Sequence, residues 1–60
     1  MIKIENRIEY DSLQLVEAKI DDVVESLEYL DYTDAAETLK LISEDIYFAR
    51  YKYDKKLLNS

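Results

Sequence analysis

Apolar residues recur at helical spacing through the first half of the chain. Since an α-helix turns by about 100° per residue, residues three and four positions apart lie on one face. Between residues 13 and 30 the apolar positions keep these steps without a break. The stripe consists of Leu13, Val16, Ile20, Val23, Leu27 and Leu30. The spacing predicts an amphipathic first helix over residues 11–30, with this stripe on its buried side.

The first ten residues follow a different pattern. Apolar Ile2, Ile4, Ile8 and Tyr10 alternate with charged or polar residues, which favours an extended N-terminal arm over residues 1–10. A helix remains open as the alternative, because Ile4 and Ile8 are also four residues apart. Asp11, with Gln14 three residues later, is the preferred helix start. Asn6 with Glu9 is the rival start.

The apolar pattern changes phase at residues 31–34. If the first helix continued, Asp34, Glu37 and Glu44 would fall on its apolar stripe. The apolar positions restart instead at Ala35, Leu39, Ile42, Ile46, Ala49 and Tyr53. A turn at 31–34 and a second helix over about 33–58 explain this change. Because the connection is short, the two helices are expected to be antiparallel neighbours.

The length of the chain indicates that such a hairpin needs a partner. With 60 residues it forms one domain at most, and a core of this size yields only about 3–5 kcal/mol. The chain contains neither Cys nor His, so disulfide and His- or Cys-ligated metal staples are excluded. Self-association is the remaining way to stabilise a chain of this size. The sequence therefore predicts an all-α, antiparallel two-helix hairpin that dimerises into a four-helix bundle, with the arm of uncertain structure.

The charge of the chain restricts which molecules it can bind. The net charge of −6 disfavours direct binding to nucleic acid. Residues 1–32 carry nine acids and three bases, whereas residues 33–60 carry five of each. Two hairpins running in opposite directions would place the acidic turn of one beside the basic end of the other. No apolar run reaches the length of a membrane span and no signal peptide opens the chain, so a cytoplasmic protein is expected.

Catalysis and metal binding have little support in the sequence. No Cys or His is available as nucleophile or base, and no Ser has a base at a telling distance. The segment Glu25-Ser26-Leu27-Glu28 resembles the first E-x-x-E of the helical nucleotide pyrophosphatases, but the second predicted helix lacks the E-x-x-D that this family carries on a later helix. We expect no enzymatic activity, no cofactor and no metal site.

Two sets of side chains remain for a protein partner. Leu41, Tyr47, Phe48 and Tyr51 lie off the stripe of the second helix, and aromatic residues are enriched at the centres of interfaces. The acidic back of the first helix carries Glu17, Asp21, Asp22, Glu25 and Glu28. The leading hypothesis is a non-enzymatic, self-associating interaction module, a small regulator or inhibitor of another protein. The alternative is a nucleic-acid mimic whose carboxylates block a DNA- or RNA-binding protein.

A third hypothesis comes from the order of the elements. An extended arm followed by two helices resembles the ribbon-helix-helix repressors, and the resemblance implies a DNA-binding regulator. The chain departs from that family in its long acidic first helix, its glycine-free turn and its lack of a basic strand. No residue role is carried over.

Overall fold

Two helices make up nearly the whole protein. The computed structural model describes residues 2–59, in which helix α1 spans Arg7–Tyr29 and helix α2 spans Thr33–Leu58. The helices pack against each other along their length and form a rod of 45 × 16 × 15 Å. Contacts such as Tyr10 with Asp54 and Glu28 with Lys40 show that they run antiparallel. The prediction of an all-helical hairpin is confirmed.

Helix α1 begins earlier than the preferred prediction. It starts at Arg7, and the side chain of Asn6 accepts a hydrogen bond of 2.9 Å from the backbone N–H of Glu9. The Glu9 carboxylate in turn accepts one of 3.0 Å from the N–H of Glu5. Asp11 lies inside the helix, where it pairs with Arg7 at 3.4 Å. Asn and Asp cap helices about equally well, so tertiary packing decides between the two starts.

A glycine-free Schellman motif closes helix α1. Asp31 has a φ of 65°, in the left-handed region that glycine usually occupies. Its N–H bonds to the carbonyl of Glu28 at 3.1 Å, and the N–H of Tyr32 bonds to that of Leu27 at 2.9 Å. These are the two hydrogen bonds that define the motif. The chain therefore reverses direction within three residues and enters α2 at Thr33.

The contact line between the helices, called the seam below, differs from the predicted stripe. On α1 the buried and half-buried residues are Tyr10, Leu13, Glu17, Ile20, Val24 and Leu27. On α2 they include Ala36, Leu39, Ser43, Ile46, Arg50 and Tyr53. Both sets keep steps of three and four. Three residues of each set belong to the predicted stripe of that helix, and Ala49, a fourth residue of the α2 stripe, is buried beside the seam. Each helix is therefore rotated by roughly 50° from the expected orientation.

The rotation leaves half of the first stripe outside the seam. Val16, Val23 and Leu30 are 45%, 47% and 56% exposed. On α2, Ile42 is 41% exposed, and Ala36 rather than Ala35 is buried. Ala36 and Ser43, which lie in the seam, have small side chains that allow two helices to approach closely. Within a single hairpin, each predicted stripe is therefore only partly buried.

Candidate interaction surfaces

An ion pair lies inside the seam near the open end of the hairpin. Arg50 Nη2 is 2.6 Å from Glu17 Oε1, and the two side chains are only 19% and 16% exposed. Burial lowers the pKa of Arg50, but the contact with Glu17 outweighs this effect and the pKa is raised overall. The pair is short but imperfectly aligned, since Glu17 Oε1 and Arg50 Nε lack a hydrogen bond of good geometry. Glu17, predicted as partner surface, is thus part of the seam.

Tyr10 anchors this end of the hairpin. It is 7% exposed, its ring centroid lies 5.3 Å from that of Tyr53, and its hydroxyl donates a 2.9 Å hydrogen bond to Asp54. The guanidinium carbons of Arg7 and Arg50 stand 4.4 and 5.7 Å from the ring centroid, within cation–π range. Tyr10 therefore joins α1 to α2 and is a packing residue.

One flank of the seam is polar. Lys40 donates a 2.8 Å hydrogen bond to Glu28, and Ser43 donates one of 3.4 Å to Asp21. Lys40 partly offsets the negative charge at the C-terminal end of α1, which is unfavourable for the dipole of that helix. The hydrogen bond and charge of Glu28 raise the pKa of Lys40. This small stabilisation is complete below the ordinary lysine pKa and is lost as the pH rises through the raised value.

The opposite flank is apolar and is called the apolar face below. Asp21, Glu28 and Lys40, which take part in the polar contacts, each follow a seam residue by one position. Because the helices are antiparallel, positions just before the seam residues lie on the opposite side of the seam in both helices. The apolar face consists of Val16, Val23 and Leu30 on α1 and Ala35 and Ile42 on α2. A groove of about 300 Å³ runs along it, lined by Leu15, Val16, Lys19, Ile20, Val23 and Leu39.

The N-terminal residues cover the far end of the same flank. Ile2 and Ile4 are half-buried and line a cavity of about 300 Å³ together with Ala49 and Tyr53. Ala49 is 9% exposed. Nearer the turn, Val23 and Ile42 of the apolar face are exposed, and no N-terminal residue covers them among residues 2–59.

The predicted aromatic residues form a second exposed surface, called the aromatic patch below. Tyr47, Phe48, Tyr51 and Leu41 are 53%, 56%, 56% and 60% exposed. The rings of Tyr47 and Phe48 meet edge to face, with centroids 5.5 Å apart. Tyr47 and Tyr51 also line a small cavity of about 130 Å³ with Arg50 and Asp54.

The remaining predicted acidic residues stay at the surface of α1. Asp21, Asp22, Glu25 and Glu28 are exposed, and Asp21 and Glu28 make the two polar contacts described above. Within residues 2–59 no three acidic side chains converge in a way that could hold a metal ion. This surface therefore offers separate carboxylates rather than a chelating cluster.

Six residues of the seam lie outside the predicted stripes. They are Tyr10, Glu17, Val24, Ala36, Ser43 and Arg50. A signal for α1 was present, because a second line at steps of three and four runs from Tyr10 through Val24 to Leu27. This line contains Glu17, whose charge disfavours burial in the sequence alone. In the structure, Arg50 neutralises that charge.

Neither helix has an 18-residue stretch apolar enough to cross a membrane, as far as residues 2–59 are concerned. No protein-family model matches the chain, and neither a curated protein nor a solved structure is significantly similar to it. The function must therefore be argued from the surfaces themselves.

Proposed function

We propose that this protein is a non-enzymatic protein–protein interaction module, a small acidic regulator or inhibitor of another protein in the cytoplasm. The observation that carries the proposal is the imbalance between its core and its surface. Within residues 2–59 five hydrophobic residues are buried, while fourteen large hydrophobic side chains are exposed. Apolar residues scattered singly on a surface are normal, but contiguous exposed patches mark interaction sites.

The aromatic patch is the proposed contact with the partner. Its tyrosines present broad apolar rings that lose little conformational entropy on binding, and their hydroxyls can bond to a partner. Tyr10 and Tyr53, by contrast, are used in the seam. The fold therefore separates packing tyrosines from those that remain available on α2.

A second candidate function is mimicry of nucleic-acid phosphates. It is favoured by the exposure of Asp21, Asp22 and Glu25 along one helix. Carboxylates at such positions could meet Arg and Lys of a DNA- or RNA-binding protein, with binding weakened by salt. Direct DNA binding, as in the ribbon-helix-helix hypothesis, is less favoured because the net charge is −6.

Affinity capture with matched baits tests the proposal. The full chain is immobilised and exposed to lysate of its source cells, and each captured protein is purified and titrated against the chain. We expect at least one partner whose affinity falls about thirtyfold or more with Phe48→Ala/Tyr51→Ala, since truncation of even one hot-spot aromatic costs about 2 kcal/mol. The control Ile8→Ala/Tyr29→Ala truncates two exposed side chains of α1 that lie outside the groove, and this variant should bind normally.

Three results decide between the candidates. If no protein is retained, or if both pairs of substitutions weaken binding equally, the aromatic patch is not a contact site. If the reversal Asp21→Lys/Asp22→Lys/Glu25→Lys alone abolishes binding, and DNA competes with the chain, mimicry is supported instead. Retention of DNA on the unmodified chain at physiological salt would support direct binding.

A further inference from the structure

We infer that the apolar face is covered by a second copy of this chain, running antiparallel to the first, so that two hairpins form a four-helix bundle. The inference rests on the proposed function, since it names one partner of an interaction module. It concerns the apolar face, whereas the proposed contact with another protein concerns the aromatic patch.

The shape of the apolar face suits a second hairpin. Val16, Val23 and Leu30 recur every seven residues, and Ala35 and Ile42 do the same on α2. A helix pair with apolar positions at this interval can pack against the same pattern in another pair. The contact would be isologous, as in most homodimers.

A second copy laid along the rod could bury an area near that of a stable dimer. The full side of the rod, polar residues included, measures 45 Å by 16 Å, or roughly 700 Å², against about 800 Å² per partner in specific interfaces. The half-buried Ile2 and Ile4 would extend the apolar surface toward the open end of the hairpin. A short peptide or a small ligand in the 300 Å³ groove would leave Leu30 and Ile42 in water, because neither residue lines it.

The charges select the antiparallel orientation. Residues 21–37, around the turn, carry seven carboxylates and no basic residue, whereas residues 50–56 carry four basic residues and one acid. Side by side in the same direction, two chains would bring both acidic turns together. In opposite directions, each acidic turn lies beside the partner's basic end, and the like-charge contact is replaced by two attractive ones.

Sedimentation equilibrium on the full chain tests the association. We expect a mass of twice 7.1 kDa at micromolar concentration for the unmodified protein. Val23→Gln/Ile42→Gln should shift the dissociation constant upward by at least about 100-fold, because two apolar contacts become buried amides. The control Leu41→Gln/Tyr29→Gln changes two exposed residues outside the apolar face and should keep the dimeric mass. Far-UV circular dichroism establishes that each variant is helical.

Disulfide trapping tests the orientation without depending on those variants. The chain has no cysteine, so Ala35→Cys near the turn and Lys56→Cys near the open end each introduce one. Both positions lie on the flank of the apolar face. In an antiparallel dimer, a mixture of the two variants should form the mixed disulfide under mild oxidation, and neither variant alone should cross-link efficiently.

Each outcome bears on the inference. Efficient cross-linking of each variant to itself would overturn the antiparallel arrangement. A mass of 7.1 kDa at all concentrations, or a dimer insensitive to Val23→Gln/Ile42→Gln, would overturn the second copy as occupant. A monomer that still captures a partner through the aromatic patch leaves the proposed function standing, while a dimer that captures none supports the bundle alone.

Discussion

At the scale of single residues, two polar side chains, those of Asn6 and Glu17, take part in shaping the hairpin. Asn6 caps the start of α1, and the helical turn that follows it contains Tyr10, which packs in the seam. Glu17 occupies a seam position that an apolar residue would fill in a simpler hairpin. Its pairing with Arg50 restricts how the helices can slide along each other, because a shift of one turn would leave both charges unpaired between helices.

The helix start can be tested at Asn6. Asn6→Ala removes the acceptor for the Glu9 N–H, and loss of such a cap costs about 1 kcal/mol of unfolding free energy. Urea denaturation followed by circular dichroism measures the change. Asp11→Ala is the control, because Asp11 makes only an exposed ion pair with Arg7 and its loss should cost less than about 0.5 kcal/mol. The reverse order of effects would place the start at Asp11.

The ion pair in the seam can be tested by a double-mutant cycle. Arg50→Met leaves the Glu17 carboxylate without its partner in a largely dry position, so we expect a loss of about 2–3 kcal/mol. Glu17→Met should likewise destabilise the hairpin. The double variant Glu17→Met/Arg50→Met should recover at least half of that loss, because no unpaired charge remains. Additive losses in urea denaturation would contradict the pairing.

At the scale of elements, the turn shows how a chain without glycine reverses direction. Asp31 accepts the left-handed conformation and ends α1 with both Schellman hydrogen bonds formed. A non-glycine residue is less favourable there, and its negative charge opposes the dipole of α1. Lys40 partly offsets this arrangement by its contact with Glu28. A substitution in this turn can therefore raise the unfolding free energy of the protein.

Substitution of Asp31 tests this interpretation. Asp31→Gly should raise the unfolding free energy by about 0.5–1 kcal/mol, because glycine adopts positive φ without steric cost. Asp22→Gly is the matched control: it also exchanges an acid for glycine, but in the middle of α1, where it should lower stability by about 1 kcal/mol. Thermal and urea unfolding should give opposite signs for the two variants. Equal signs would refute the left-handed turn.

At the scale of the whole molecule, the hairpin has two unequal flanks. The polar flank satisfies its own charges through Glu28 with Lys40 and Asp21 with Ser43. On the other flank, Ile2 and Ile4 lie near Ala49 and Tyr53 at the open end, and the apolar face itself is exposed. A single hairpin therefore has a small core, since five buried hydrophobic residues among residues 2–59 contribute little to the free energy of folding. Self-association along the apolar face would enlarge this core.

The sequence by itself determined the elements. The change of apolar phase at residues 31–34 predicted two helices and a turn, and the structure has them at Arg7–Tyr29 and Thr33–Leu58. Local signals suffice for this, because helical periodicity and capping depend on neighbours in the chain. The predicted aromatic residues are exposed for the same reason, since they fall off the apolar stripe of α2.

Only the tertiary structure decided which side of each helix faces the other. In α1 two lines of residues at steps of three and four share Leu13, Ile20 and Leu27, and hydrophobicity alone favours the line with Val16 over that with Glu17. In the structure, the line with Glu17 faces α2. Arg50 compensates the charge of Glu17, and small residues of α2 permit close approach. These are contacts between residues distant in sequence, which no local pattern encodes. They turned the most apolar positions outward and created the apolar face.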